Sequence, residues 1–153
     1  MKVIDKDKGW NRLGRLLKRA PINQPHAVVG IMGAEATASH ANSELTNVEV
    51  AAFNEFGLGV PERSFIRETF DMYRGEYKTI MRRLAEQIVA GQIDQRFALE
   101  VIGQKMESDI KRRIEKGIPP PNAPSTIKQN GSSKTLINTS QMKNSITHAV
   151  VGV

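Results

Sequence analysis

The sequence predicts an α+β fold, in which a small antiparallel sheet, made of an N-terminal strand and C-terminal strands, packs against two or three helices, with a long proline-rich loop. Three observations carry that expectation. Apolar residues recur at steps of three and four from Ile66 to Ile114, the spacing of amphipathic helices. Short β-branched runs lie near opposite ends of the chain, at 26–32 and 145–153, and read as strands. Four prolines at 119, 120, 121 and 124 interrupt any helix between them.

The 153 residues suit a single domain spanning 1–153. Within 7–19, Trp10, Leu13 and Leu17 share one helical face, with Arg12, Arg15, Lys18 and Arg19 opposite. Residues 1–20 therefore read as a basic amphipathic helix ended by Pro21, its apolar stripe docking on the same domain or on a neighbouring subunit. His26 to Met32 forms the first strand, bounded by Pro25 and Gly33. Residues 34–45 are small, polar and aperiodic, and read as a mobile loop. Thr46-Asn47-Val48-Glu49 has capping-box spacing, in which a hydroxyl and a carboxylate satisfy free backbone N–H groups reciprocally. The helix it opens carries Val48, Ala52 and Phe56 at intervals of four and ends where Gly57 permits a left-handed cap.

Past Pro61 the stripe Ile66, Phe70, Tyr73, Tyr77, Ile80, Leu84, Ile88 predicts a long helix, punctuated by Gly91. Ile93, Phe97, Met106, Ile110 and Ile114 continue it to Gly117, giving an antiparallel pair or one long broken helix. Residues 118–134 read as an extended Pro/Ser-rich loop, ordered only against a partner. Strand material returns at 135–137 and 145–153, with a turn or single helical turn between.

Charge is uneven. Residues 1–20 hold seven Lys/Arg against two Asp, a balance of +5; residues 21–60 hold four Glu and no Lys or Arg, −4; the remainder returns to +5, for a total of +6. Such alternation suits one copy meeting another through opposite fields, or a basic face looking towards nucleic acid. The absence of cysteine removes disulfides, thiolate metal sites and cysteine nucleophiles. No apolar run is long enough to span a bilayer, and the chain reads as soluble and cytoplasmic.

Catalytic patterns fail on inspection. Gly131-Ser132-Ser133-Lys134-Thr135 lacks the glycine before the lysine that a phosphate loop needs, and the flanking strand and helix as well. The three histidines (His26, His40, His148) have no partner at ligand spacing. The expectation is a protein that is not an enzyme and holds no cofactor or metal.

Two stretches carry a resemblance. One is Ala52-Phe53-Asn54-Glu55-Phe56-Gly57 with Val60-Pro61-Glu62-Arg63-Ser64-Phe65-Ile66-Arg67. The other is Pro119-Pro120-Pro121-Asn122-Ala123-Pro124-Ser125 followed by Leu136-Ile137-Asn138-Thr139-Ser140-Gln141-Met142-Lys143-Asn144-Ser145-Ile146. Together they resemble the neck, or tail-completion, proteins of long-tailed bacteriophages and prophages, also described as tail-to-head joining minor tail proteins. The chain departs from that pattern at Ser64, where a second proline is common, at Ser140, where glycine is common, and at Met142, where leucine is common.

The resemblance implies a structural virion protein that joins tail to head as a ring, six-fold by expectation. Its partners would be other copies of itself, head-closure or connector proteins, and tail-tube or tail-terminator proteins, with DNA passing through the ring. It would act in the virion neck, after assembly in the host cytoplasm, without a membrane. Glu55, Phe56, Arg63, Phe65, Arg67, Pro120, Asn122, Lys134, Thr139 and Met142 are the candidate interface residues. Glu55 is expected to pair with Arg63 or Arg67, and at least two of Phe56, Phe65 and Phe70 to be core. A nucleic-acid-binding accessory protein, using the basic N-terminal helix and the 111–116 cluster, is the alternative.

Overall fold

The computed structural model describes residues 24–39, 44–130 and 141–152. Strand β1 (His26–Ile31) is followed by a one-turn helix α1 (Ala34–Thr37) and by α2 (Asn47–Phe56). Two long helices follow, α3 (Arg67–Val89) and α4 (Gln95–Lys116), then short helices α5 (Pro124–Asn130) and α6 (Gln141–Ser145), and strand β2 (Ile146–Val151).

Local chemistry explains the element boundaries. Thr46 caps α2 with a complete capping box: its hydroxyl accepts from the Glu49 N–H, and the Glu49 carboxylate accepts from the Thr46 N–H at 2.8 Å. Gly57 closes the same helix at φ 67°, a left-handed conformation that costs glycine little. Its position is doubly constrained, because an added Cβ would lie 3.0 Å from the Glu62 Cβ. Asp94 caps α4 by accepting from the Phe97 N–H at 2.7 Å.

Helices α3 and α4 lie antiparallel. Glu68 meets Arg113, Tyr77 meets Asp109 and Glu76 meets Lys105, so residue numbers rise along one helix as they fall along the other. The strands pair antiparallel, from His26↔Val151 to Ile31↔Ile146. Alternation along a strand places Ala27, Val29 and Ile31 on the same face as Val150, His148 and Ile146. That face lies on α4: a Cβ added at Gly103 would come within 2.8 Å of the His148 ring. The core joins Ala51, Phe65, Ile110, Ile114, Ile118, Met142 and Ile146. It therefore sits where α2, the turn before α3, the C-terminal half of α4, α6 and β2 converge. Burial of Phe65 and Ile114, both 0% exposed, stabilises by about 1.5–3 kcal/mol each.

The expected architecture is corrected in four respects. The sheet among the described residues has two strands, and the expected further strand at 135–137 lies outside them. A single helix, α4, lies beneath both strands, rather than two or three helices across the sheet. The expected 118–134 loop is broken by α5. Pro124 is the first residue of that helix, where a proline lacks only an N–H that would be unbonded anyway and supplies a helical φ. The expected mobile loop at 34–45 holds α1 and a bridge from Ser39 to Thr46, and the Asn47 side chain donates to the Glu35 carbonyl at 3.0 Å. The N-terminal helix expected over 1–20 lies outside the described residues.

Candidate functional site

The turn between α2 and α3 is organised by one carboxylate. Glu55 is 5% exposed, and its two oxygens accept from four donors. These are the Ser64 hydroxyl at 2.8 Å, the Ile66 N–H at 2.9 Å, the Arg67 N–H at 3.0 Å and the Arg67 Nε at 3.1 Å. Ile66 occupies the N-cap position of α3 and offers no side-chain oxygen. The first N–H groups of a helix need an acceptor, and Glu55 supplies it from another helix while opposing the positive end of the helix dipole. The Arg67 Nη2 donates further to the Glu55 carbonyl at 2.6 Å and to Glu62 at 2.8 Å. The Glu55 bond, and then the nearby carboxylate charges, hold the Arg67 guanidinium above its ordinary range against some desolvation.

Arg63 does something different. It is 8% exposed; its Nε donates to the Pro120 carbonyl at 2.9 Å and its Nη2 to the Pro121 carbonyl at 3.4 Å. Its own N–H donates to the Asn54 carbonyl at 2.7 Å. Residues 117–123 lie outside any helix or strand, so the proline carbonyls have no ladder partner and can accept from a guanidinium. Burial pulls Arg63 below its ordinary range. Of the two arginines expected near Glu55, Arg67 makes the pair, and Arg63 ties the turn to the proline segment.

The apolar residues divide unequally. Phe65 is core, whereas Phe56 is 57% exposed and Phe70 44% exposed, so one of the three phenylalanines is core where at least two were expected. The Arg67 guanidinium covers the Phe56 ring at 5.1 Å from its centroid. Leu58 and Val60 are exposed beside it, giving an apolar ridge on a stiff support. Among the other candidate interface residues, Met142 is buried in the core, Pro120 is exposed and Asn122 half-buried. Lys134 and Thr139 lie outside the described residues. Glu55, Arg63, Phe65 and Met142 thus face inward, and exchanging Arg63 for a glutamate would test the fold rather than an interface.

Two polar clusters had no sequence signal beyond ordinary helix charge. Asp109, 1% exposed, accepts from the Tyr77 hydroxyl at 3.1 Å and from the Lys105 ammonium at 2.6 Å, and Lys105 reaches Glu76 at 3.0 Å. Burial first, then the Asp109 carboxylate, pushes the Tyr77 phenol well above its ordinary range. A phenol so disposed is a weaker acid than an exposed tyrosine and stays protonated at neutral pH. On the other flank of α4, His148 places Nδ1 against Glu107 and Nε2 3.2 Å from Glu100. Burial raises the Glu107 carboxyl, but its bonds with Lys111 and His148 outweigh this and leave it below the usual carboxylate range.

Three of the four cations in the 111–116 run expected to face nucleic acid have carboxylate partners on this chain, and Lys116 is exposed. Lys111 meets Glu107 at 2.6 Å, Arg112 approaches Asp109 at 3.6 Å and Arg113 meets Glu68 at 2.8 Å. No group of three or more His, Asp or Glu side chains that could hold a metal ion occurs among the described residues. No described helix is long and apolar enough to cross a membrane. No family model, curated protein or solved structure matches this chain.

Proposed function

We propose that this chain is a neck, or tail-completion, subunit of a long-tailed bacteriophage, joining tail to head as one copy in a ring. The observation that carries the reading is that both stretches bearing the resemblance contribute to one bonded unit. Glu55 of the first half-motif holds Ser64 and Arg67 of the second, and Arg63 holds Pro120 and Pro121. The unit presents Phe56, Leu58 and Val60 outward. A ring subunit needs a patch of this kind, rigid and self-supporting, because head-to-tail contacts repeat one geometry at every step.

By the resemblance its partners would be neighbouring copies, six-fold, with a head-closure or connector protein on one side and a tail-tube or terminator protein on the other. The internal pairing of Lys111, Arg112 and Arg113 favours this assembly role over a nucleic-acid accessory role.

A chain with no native cysteine makes the test direct. Leu58→Cys, carrying a short photo-crosslinker and built into particles, is expected to give a ladder of homomeric products. Crosslinks confined to other proteins, or to none, would remove this ridge from the ring contact. Phe56→Asp is expected to keep the helical circular dichroism of the free chain and to lose the ladder formed through Leu58. An unchanged ladder would count against the ridge.

A further inference from the structure

Among the described residues the sheet ends at β1, and beside it lies an apolar groove of about 470 Å³. Ala27 and Val29 of β1 form one wall, Phe70 and Tyr77 of α3 the other, and Met106 and Ile110 of α4 the floor. Arg67 and Asp71 are its polar margin. Asp71 is exposed and has no ion-pair partner among the described residues. The groove follows from the architecture: α4 lies under both strands, whereas β1 and α3 make little contact with each other.

We propose that the groove seats this chain's own amino-terminal segment, with Trp10, Leu13 and Leu17 entering the trough. Three observations favour that occupant over others. The segment leads directly into β1, so its point of attachment is the groove wall itself. Eight residues, 18–25, separate Leu17 from His26, and at about 3.3 Å per residue they reach about 26 Å, enough to turn the segment back along the trough. The spacing of Trp10, Leu13 and Leu17 gives one apolar stripe, and the balance of +5 over residues 1–20 complements the Asp71 carboxylate at the margin. Tethering through eight residues also raises the local concentration of the segment far above that of any free partner. The inference does not rest on the role in a phage neck: a seated segment is a property of the isolated chain.

Trp10 is the only tryptophan, so its fluorescence reports the segment alone. The full-length chain is expected to show blue-shifted emission, protected from acrylamide and unchanged on dilution. Phe70→Lys places a cation in the trough, and because Phe70 is substantially exposed its replacement leaves the core intact. It is expected to red-shift the emission and raise quenching several-fold, with circular dichroism unchanged. Asp71→Lys, at the margin, is expected to move both in the same direction by a smaller amount and serves where Phe70→Lys lowers the folded fraction. Solvent-exposed Trp10 in the unaltered chain overturns the proposal. So does buried Trp10 that neither substitution moves, since the segment would then sit elsewhere. A blue shift lost on dilution overturns it too, because the occupant would be the segment of a second copy.

Discussion

The Glu55 carboxylate caps α3 from another helix, accepting both the backbone N–H of Arg67 at 3.0 Å and the Nε of the same residue at 3.1 Å. One side chain therefore fixes where a 23-residue helix begins and where its first cation points. Replacing Glu55 by alanine removes a cap, worth about 0.5–2 kcal/mol, and at least one charge-assisted bond, worth about 1.5–3 kcal/mol. Glu55→Ala is expected to lose about 3 kcal/mol in denaturant unfolding, and Ser64→Ala about 1 kcal/mol. A loss below about 0.5 kcal/mol for Glu55→Ala would show that water caps the helix equally well.

Arg63 holds the proline segment through two backbone carbonyls, which calls for a fork of donors rather than a point charge. Arg63→Lys keeps the charge and loses the fork. It is expected to hasten tryptic cleavage after Lys116, at the start of that segment, while leaving α3 and α4 protected in hydrogen exchange. Unchanged cleavage would mean that the segment is held by its own packing.

Gly103 lies under the His148 ring, 2.8 Å from where a Cβ would stand. Alanine would favour the helix by about 1 kcal/mol. The ring, however, is held between Glu100 and Glu107 and has little freedom to retreat, and overpacking costs about 1–3 kcal/mol. Gly103→Ala is therefore expected to destabilise. A Gly103→Ala, His148→Ala double variant should recover part of the loss, and failure to recover would place the strain elsewhere.

Acid stability follows from Glu107. Its folded carboxyl sits below the ordinary value of 4.5, so its contribution is present above that value and is lost as pH falls through the depressed folded one. Glu107→Gln is expected to lower stability at pH 7 and to flatten the decline below about pH 4.5. Curves that differ by a constant offset would show that Glu107 does not carry the dependence.

Much of this was readable from the residues. The capping box at Thr46, the left-handed Gly57 and the two long helices split near Gly91 follow from local rules, and local geometry decides them. The helix at Pro124 was hidden because proline is a breaker everywhere except the first turn. The partners of Glu55 and Arg63 were half visible: sequence proximity suggested a pair across the turn, but only the fold brings Pro120 to Arg63. The Tyr77–Asp109 bond and the His148 contacts join residues 32 to 48 positions apart, and nothing in a single sequence marks such pairs. The exposure of Phe56 also ran against its composition. An aromatic at helical spacing reads as core, and here the guanidinium of Arg67 shelters it instead.

The role proposed for this subunit is to join tails to heads. Electron micrographs of particles made without the chain test it most directly. Filled heads lacking tails beside finished free tails are expected, joined again when the purified chain is added but not when the Phe56→Asp chain is added. Intact tailed particles formed in its absence would contradict it.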